Sequence, residues 1–249
     1  MKIVVCVSHV PDTATRIKIG ADGKTIDPSG VTYIINPYDE YAVEEALKVK
    51  EKSGSGEVIA ITYGSENSKE TLRKALAMGV DSGILLKEDQ QRDSIGIAKA
   101  LAEEIKSQGA QLVFMGKQSV DYDNSIVGQL TAELLDFNCV PVCVKLDIDG
   151  DKIVAEREIE GGREIIETSM PCIITCQKGL NEPRYASLKG IMAAKKKVIE
   201  EKSPAAYDPT TEIIKMYLPS GKQPGRIVGS DVSAVPELVR LLKEEAKVI

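Results

Sequence analysis

Apolar residues in this chain fall into two kinds of run. Stretches rich in β-branched residues at 3–7, 58–63, 84–86, 112–115, 140–144 and 172–176 are apolar without alternation, the pattern of strands covered on both faces. Between them apolar positions return every three or four residues, as on amphipathic helices. Asn36-Pro37 predicts a helix N-cap followed by a first-turn proline, and Val43, Ala46, Leu47 and Lys50 carry that spacing to Ser53-Gly54. Leu72, Ala75, Leu76 and Gly79 mark a second helix, Ile97, Leu101 and Ile105 before Gly109 a third, and Ile126, Leu130 and Leu134 a fourth. Buried strands alternating with helices predict an α/β fold with a doubly wound, mainly parallel sheet up to about residue 145.

From Asp147 the texture changes. Asp149-Gly150-Asp151 and Gly161-Gly162 read as turns, residues 152–158 alternate, and 164–168 return, which predicts an antiparallel hairpin over 147–170 appended to the sheet. A loop follows at 177–187, then a short basic helix at 189–199. Residues 203–229 have little periodicity and are punctuated by Pro219, Gly221, Pro224, Gly225 and Gly229, so they read as an extended arm. Leu238, Leu241 and Leu242 predict a terminal helix. The expected organisation is an α/β domain over 1–202 and an arm with its helix over 203–249. The apolar face of that helix needs cover; a partner subunit and docking onto the chain's own body are both open on pattern alone.

Composition narrows the function classes. The chain has 249 residues, 43% hydrophobic and 28% charged, enough for a sizeable core. With 38 acidic against 32 basic side chains and a net charge of −6, whole-protein attraction to nucleic acid or to an anionic membrane is not expected. His9 is the one histidine, so histidine-rich metal sites are excluded within the chain and any Ser/His triad depends on that residue. Neither a secretory signal nor a stretch of roughly 20 apolar residues is visible, so membrane insertion is not expected. Five cysteines, at 6, 139, 143, 172 and 176, are an odd and sparse set, which fits a reducing compartment and buried structural thiols. The expected location is the cytoplasm of a bacterium or archaeon.

Familiar phosphate loops are missing. Gly23-Lys24-Thr25 ends like a P-loop but Lys18 stands at the required upstream glycine, and Ser8-His9-Val10-Pro11 follows the first strand where a dinucleotide fingerprint would lie. The remaining candidate is the loop from Gly116 to Ser125, which leaves a buried strand and enters a helix N-terminus, where unpaired N–H groups and the helix dipole favour a phosphate. Asp121 and Asp123 would repel that phosphate, so they are expected to cap the helix, accept ribose hydroxyls or hold a cation. A polar loop that merely caps a helix explains the same residues. Lys195, Lys196 and Lys197 read as a solvated face or as a docking surface for an acidic partner.

Longer segments carry a family resemblance. They are residues 36–46 (NPYDEYAVEEA), 76–79 (LAMG), Gly116-Lys117-Gln118 with Asp121 and Asp123, 156–162 (EREIEGG), and above all 180–188 (LNEPRYASL) followed by Ile191-Met192 and the lysine run. In these the chain resembles the β subunit of electron transfer flavoproteins over nearly its whole length. The resemblance implies a Rossmann-like, adenine-nucleotide-binding fold without a catalytic site of its own. It also implies a heterodimer in which the α subunit carries a redox FAD and contacts the arm, while this subunit holds AMP structurally. In a bifurcating branch the β subunit holds a second FAD instead. Tyr122 and Asn124 stand where that branch usually has glycine and threonine, whereas Val127-Gly128 is similar to it; with residues 181–184 (NEPR), the balance points to AMP.

Carried over residue by residue, the nucleotide contacts implied by the resemblance are Cys6, Asn36, Pro37, Tyr38, Asp39, Tyr63, Lys117, Gln118, Ser119, Val120, Asp121, Tyr122, Asp123, Asn124, Ser125, Ile126, Val127 and Gly128. A partner-recognition loop maps onto residues 185–192, with Tyr185, Leu188, Ile191 and Met192 beside Lys195, Lys196 and Lys197. Leu188 matches the leucine that docks into an acyl-CoA dehydrogenase. A quinone-reducing oxidoreductase is an implied acceptor.

Overall fold

The computed structural model describes residues 1–221 and 224–249. In chain order the elements are β1 (Lys2–Cys6), β2 (His9–Pro11), β3 (Tyr33–Ile35), α1 (Pro37–Ser53), β4 (Glu57–Gly64), α2 (Lys69–Met78), β5 (Ser82–Lys87), α3 (Ser94–Gln108), β6 (Leu112–Gly116) and α4 (Val127–Leu135). They continue with β7 (Asn138–Asp149), β8 (Lys152–Ile159), β9 (Gly162–Ser169), β10 (Cys172–Cys176), α5 (Leu188–Ala194), β11 (Ile199–Lys202) and α6 (Val235–Glu244). All but β2 and β3 join one sheet in the order β11-β5-β4-β1-β6-β10-β7-β8-β9, parallel as far as β7 and antiparallel through β8 and β9. Strands β2 and β3 form a small antiparallel pair.

The unbroken apolar runs become strands because helices cover both faces. In β1, Ile3 and Val5 pack with Val43 and Leu47 of α1 and Leu72 and Leu76 of α2, whereas Val4 and Cys6 face Leu101 and Ile105 of α3 and Ala132 of α4. Each fully buried Leu or Ile in these layers contributes about 1.5–3 kcal/mol. Helices α1 and α3 stop at Gly54 and Gly109, both left-handed with φ of 68° and 64°. No helix among the described residues is long and apolar enough to cross a membrane.

The predicted hairpin is present, but β7 is longer than the apolar run at 140–144 and joins the two parts of the sheet. It runs parallel to β10 up to Cys143, then pairs antiparallel with β8, and the register shifts where the partners change. There Val142 has a φ of 56°, rare for a β-branched residue, and its N–H is held by Thr175 Oγ1 at 2.9 Å. Burial pushes the thiols of Cys139 up to about 11 and those of Cys143 and Cys172 up to about 12, which keeps them protonated.

The predicted basic helix at 189–199 is corrected. Helix α5 ends at Ala194, and Ile199–Lys202 is an edge strand parallel to β5. An edge strand of the sequence Ile-Glu-Glu-Lys buries little, so it lacks the apolar run that betrays a central strand. The arm beyond it is divided. Up to Met216 it docks on the chain's own body: Ala205 O accepts Arg92, Thr210 and Thr211 donate to Asp93, and the Met216 N–H reaches Gly23 O. Helix α6 buries no residue. Lys222 and Gln223, within the expected arm, lie outside the described residues.

The strand order reverses between β1 and β6, which opens a crevice at their carboxyl ends. Asp39, in the first turn of α1, bridges it: Oδ2 accepts the Ser8 N–H at 2.7 Å and Oδ1 the Gly116 N–H at 2.9 Å. Gly116 is obligatory, because a Cβ there would stand 2.3 Å from Asp39 Oδ1 and 2.7 Å from Tyr38 Cβ. Burial pushes the Asp39 carboxyl up to about 7, the hydrogen bonds from Asn36, Ser8 and Gly116 offsetting only part of the desolvation.

A carboxyl with a raised native pKa binds its proton more tightly when folded. Its contribution is therefore full below about pH 4, the unfolded value, and is lost as pH rises through about 7. Urea unfolding between pH 4 and pH 8 should show this slope, and Asp39→Asn should remove it. The same substitution turns an amide N–H toward one of the two backbone donors and should cost about 1–3 kcal/mol.

Candidate functional site

Above the crevice lies a cavity of about 150 Å³. Cys6, Ile61, Leu101 and Met115 give it an apolar floor, and the loop after β6 forms its wall through Lys117, Gln118, Ser119, Asp121, Tyr122 and Asn124. Ile126, Val127 and Gly128 close it at the start of α4, with Asp39 and Tyr63 on the remaining sides. The expected nucleotide residues thus converge, although they do so in two ranks.

Pro37, Tyr38, Asn36, Val120, Asp123 and Ser125 act on the loop rather than line the cavity. Pro37 begins α1, and Tyr38 places its ring 5.2 Å below the Lys117 ammonium. Asn36 occupies the N-cap position of α1 without capping it: its fully buried amide donates to Gln118 O at 2.8 Å and accepts the Val120 N–H at 3.2 Å. The expected capping role is corrected accordingly, since the same polar side chain that suits an N-cap is used to fasten a distant loop. Gln118 in turn donates to Asp123 and accepts from Ser125 Oγ at 2.8 Å. Asp123 and Ser125 both have left-handed backbones, with φ of 53° and 50°, which folds the loop tightly back on itself.

Neither Asp121 nor Asp123 caps α4, so of the three roles expected for them the capping one is corrected. Ile126 stands at the N-cap and no side chain accepts there, which leaves the N–H groups of the first turn free of a side-chain partner. Gly128 is where the helix presses closest to the sheet; a Cβ would stand 2.5 Å from Thr175 Cγ2. The chemistry of the cavity is an apolar floor, oriented N–H donors at one end, and hydroxyl, amide and carboxylate groups along the wall.

Sequence reasoning left out Ser8 and His9, which line the cavity beyond β1. The His9 ring stacks on Tyr33 with centroids 4.6 Å apart, and its Nδ1 lies 2.9 Å from Thr71 Oγ1. Desolvation lowers its pKa, with Glu70 opposing and Lys74 assisting. The arm was missed as well, although Thr210 and Ile213 wall a second cavity, of about 780 Å³, that shares Ser119, Tyr122 and Asn124 with the first. The signal available was the location of Ser8 and His9 at the carboxyl end of a parallel strand.

The expected recognition residues gather elsewhere: Leu188, Ile191 and Met192 lie on α5, Tyr185 precedes it and Lys195, Lys196 and Lys197 follow it. Leu188 begins this helix rather than lying in a loop, and Ser187 caps it by accepting the Gly190 N–H at 3.0 Å. Tyr185, Leu188 and Met192 are 99%, 83% and 60% exposed, and Ile191 is exposed beside them. The helix is firmly seated. Arg73 donates to the carbonyls of Ala194 and Lys197 at 2.5 and 2.7 Å, and a Cβ on Gly190 would collide with Ala77 O at 2.3 Å. Lys195 and Lys196 are exposed, but the Lys197 ammonium turns inward to the carbonyls of Val80 and Leu76. It neutralises the C-terminal end of α2 and is set apart from the other two lysines.

Comparison with known proteins fits this architecture. Residues 24–207 match the electron transfer flavoprotein domain. The chain is 42% identical over 260 residues to the electron transfer flavoprotein subunit beta of Bacillus subtilis (strain 168), with all of both chains covered. It is 38% identical over 253 residues to the subunit beta of Bradyrhizobium diazoefficiens, again with both chains fully covered. The human subunit beta is 37% identical over 254 residues, covering all of this chain and 99% of the human one. With its sheet, its loop after β6 and its full-length likeness to these relatives, the chain belongs to the electron transfer flavoprotein family, as a subunit beta.

Proposed function

We propose that the chain pairs with an electron transfer flavoprotein α subunit, holds AMP as a structural nucleotide, and docks dehydrogenases through α5. The observation that carries the nucleotide reading is the uncapped N-terminus of α4 facing an apolar-floored cavity at the strand-order reversal. Ile61 and Met115 offer the base an apolar surface, the first-turn N–H groups of α4 receive the phosphate, and Asp121 is placed to accept ribose hydroxyls. No nucleophile and base pair is proposed in the cavity, in keeping with an electron carrier rather than an enzyme. FAD in the partner subunit supplies the redox chemistry. This chain's share is to bind, to orient and to present a docking surface in the cytoplasm.

For docking, the support is an apolar cluster that the fold holds in the open. Leu188 and Met192 project from a short, anchored helix bordered by Lys189, Lys195 and Lys196, a small apolar anchor with a cationic rim. An acyl-CoA dehydrogenase with an apolar pocket and an acidic border is the matching donor, and a quinone-reducing oxidoreductase the matching acceptor.

Extraction of nucleotides from the purified complex should yield AMP and FAD in equal amounts; two FAD and no AMP would establish a second flavin in the cavity and overturn the AMP reading. Replacing Asn124, which lines the cavity, with leucine should lower nucleotide retention and melting temperature together, because a ligand bound only by the native state stabilises it.

Leu188→Ala should leave melting temperature and flavin content nearly unchanged, since a core leucine would lose about 2–5 kcal/mol but this one is exposed. Reduction by the dehydrogenase should slow while reduction by dithionite does not. Slowing of both would remove the anchor role.

A further inference from the structure

Two sets of contacts lead from the nucleotide cavity to the arm. In the first, the Tyr63 side chain, which lines the cavity, donates its hydroxyl to Glu88. Glu88 receives Arg92 through both oxygens, at 2.6 and 2.8 Å. The Arg92 guanidinium lies 5.5 Å from the ring centre of Tyr63 and 5.5 Å from that of Tyr207 in the arm, and it donates to Ala205 O at 2.7 Å.

The second set runs through the start of α3. Asn124 of the loop donates to Ser94 Oγ at 2.7 Å. The adjacent Asp93 caps α3 by accepting the Gly96 N–H at 2.9 Å, and it receives the arm with the same carboxylate: Tyr207 Oη at 2.8 Å, and Thr210 N–H and Oγ1 at 2.9 and 2.7 Å. Desolvation opposes the charge on Asp93, but these donors hold its carboxyl well below the usual range. Gly96 permits the seating. A Cβ there would stand 2.4 Å from the Tyr207 ring, so only glycine lets the ring lie against the first turn of α3.

Between the two sets lies the cavity of about 780 Å³, with Ser119, Tyr122 and Asn124 on one side and Thr210, Thr211 and Ile213 of the arm on the other. We infer that Asp93 is a positioning residue for the nucleotide: it holds the arm as the outer wall of the site, so that nucleotide occupancy and arm docking reinforce each other. The inference rests on the nucleotide reading above. A ligand that meets the wall only when the arm is docked shifts the arm toward docking by its differential affinity, and the docked arm raises the affinity by the same factor. The arm leads directly into the exposed Ile214, Tyr217 and Leu218 and on to α6. A filled site therefore fixes where that apolar segment leaves the body and how it is offered to the partner subunit.

The experiment uses the full chain stripped of nucleotide, with AMP as the probe, read by calorimetry and by hydrogen exchange of the amides at 205–213. Asp93→Asn retains a good capping residue while dropping the charge, and Thr210→Val and Tyr207→Ala leave the α3 cap untouched. AMP should slow exchange of the wild-type arm roughly five- to tenfold, and each variant should bind AMP more weakly by a comparable factor. The melting temperature of nucleotide-free Thr210→Val should stay close to wild type. If AMP binds the wild type without protecting the arm, or if Thr210→Val and Tyr207→Ala bind AMP as the wild type does, the coupling is refuted and the nucleotide reading stands. Failure of the wild type to bind AMP refutes both.

Discussion

One buried carboxylate holds the centre of this molecule. The N–H groups of Ser8 and Gly116 emerge at the ends of two parallel strands just where the strand order reverses, and no neighbouring strand is available to accept from them. Asp39 accepts both from the first turn of α1, where a negative charge is also favoured by the helix dipole. With that bridge in place, the chain after Gly116 has a fixed point of departure, and Asn36, three residues earlier, fastens the next stretch through Gln118 and Val120. The cavity, the uncapped first turn of α4 and the approach of Asn124 to α3 all follow from how that loop is launched.

The surface has a different economy. Helix α5 is small, yet it is pinned at both ends: Ser187 caps one, and Arg73 gathers the carbonyls at the other. Such anchoring lets Leu188 stay exposed without costing the helix its position, so under the proposed docking role the surface requires little ordering on contact. The arm is held by comparable means, with the Asp93 carboxylate accepting from Gly96 at the start of α3 and from Tyr207, Thr210 and Thr211 of the arm.

Elements with apolar continuity or with turn signals at both ends, such as the β8–β9 hairpin at one edge, were legible in the sequence, whereas a short charged edge strand was not. The strand at 172–176 appears in the structure as Cys172–Cys176, because a run buried on both faces leaves an unmistakable pattern. The helix ends at Gly54 and Gly109 were legible for a backbone reason, the left-handed turn that glycine takes without strain. Strand β11 was hidden, since two of its four residues are glutamates turned to solvent. For the loop after β6 the location was readable from the strand–loop–helix order, but the partners were not: Asn36 looks like a cap in sequence and works as a clamp, a choice made by residues more than eighty positions away. Asp93 was invisible for the same reason, its arm partners lying over a hundred positions on.

The sheet ends in two strands that leave backbone groups unpaired, and each closes itself to aggregation in its own way. Strand β11 is only four residues long and carries Glu200, Glu201 and Lys202, with Glu201 held by Lys69 and Lys87. At the other side β9 is eight residues long, enough to template a foreign strand, but Arg163, Glu164 and Glu167 punctuate it and Ile165 stands alone among charges. An exposed apolar cluster such as that of α5, together with a bare strand edge, would favour fibrils or mispaired oligomers. The charged edges thus keep the exposed apolar cluster of α5 from being joined on the same surface by a bare strand edge.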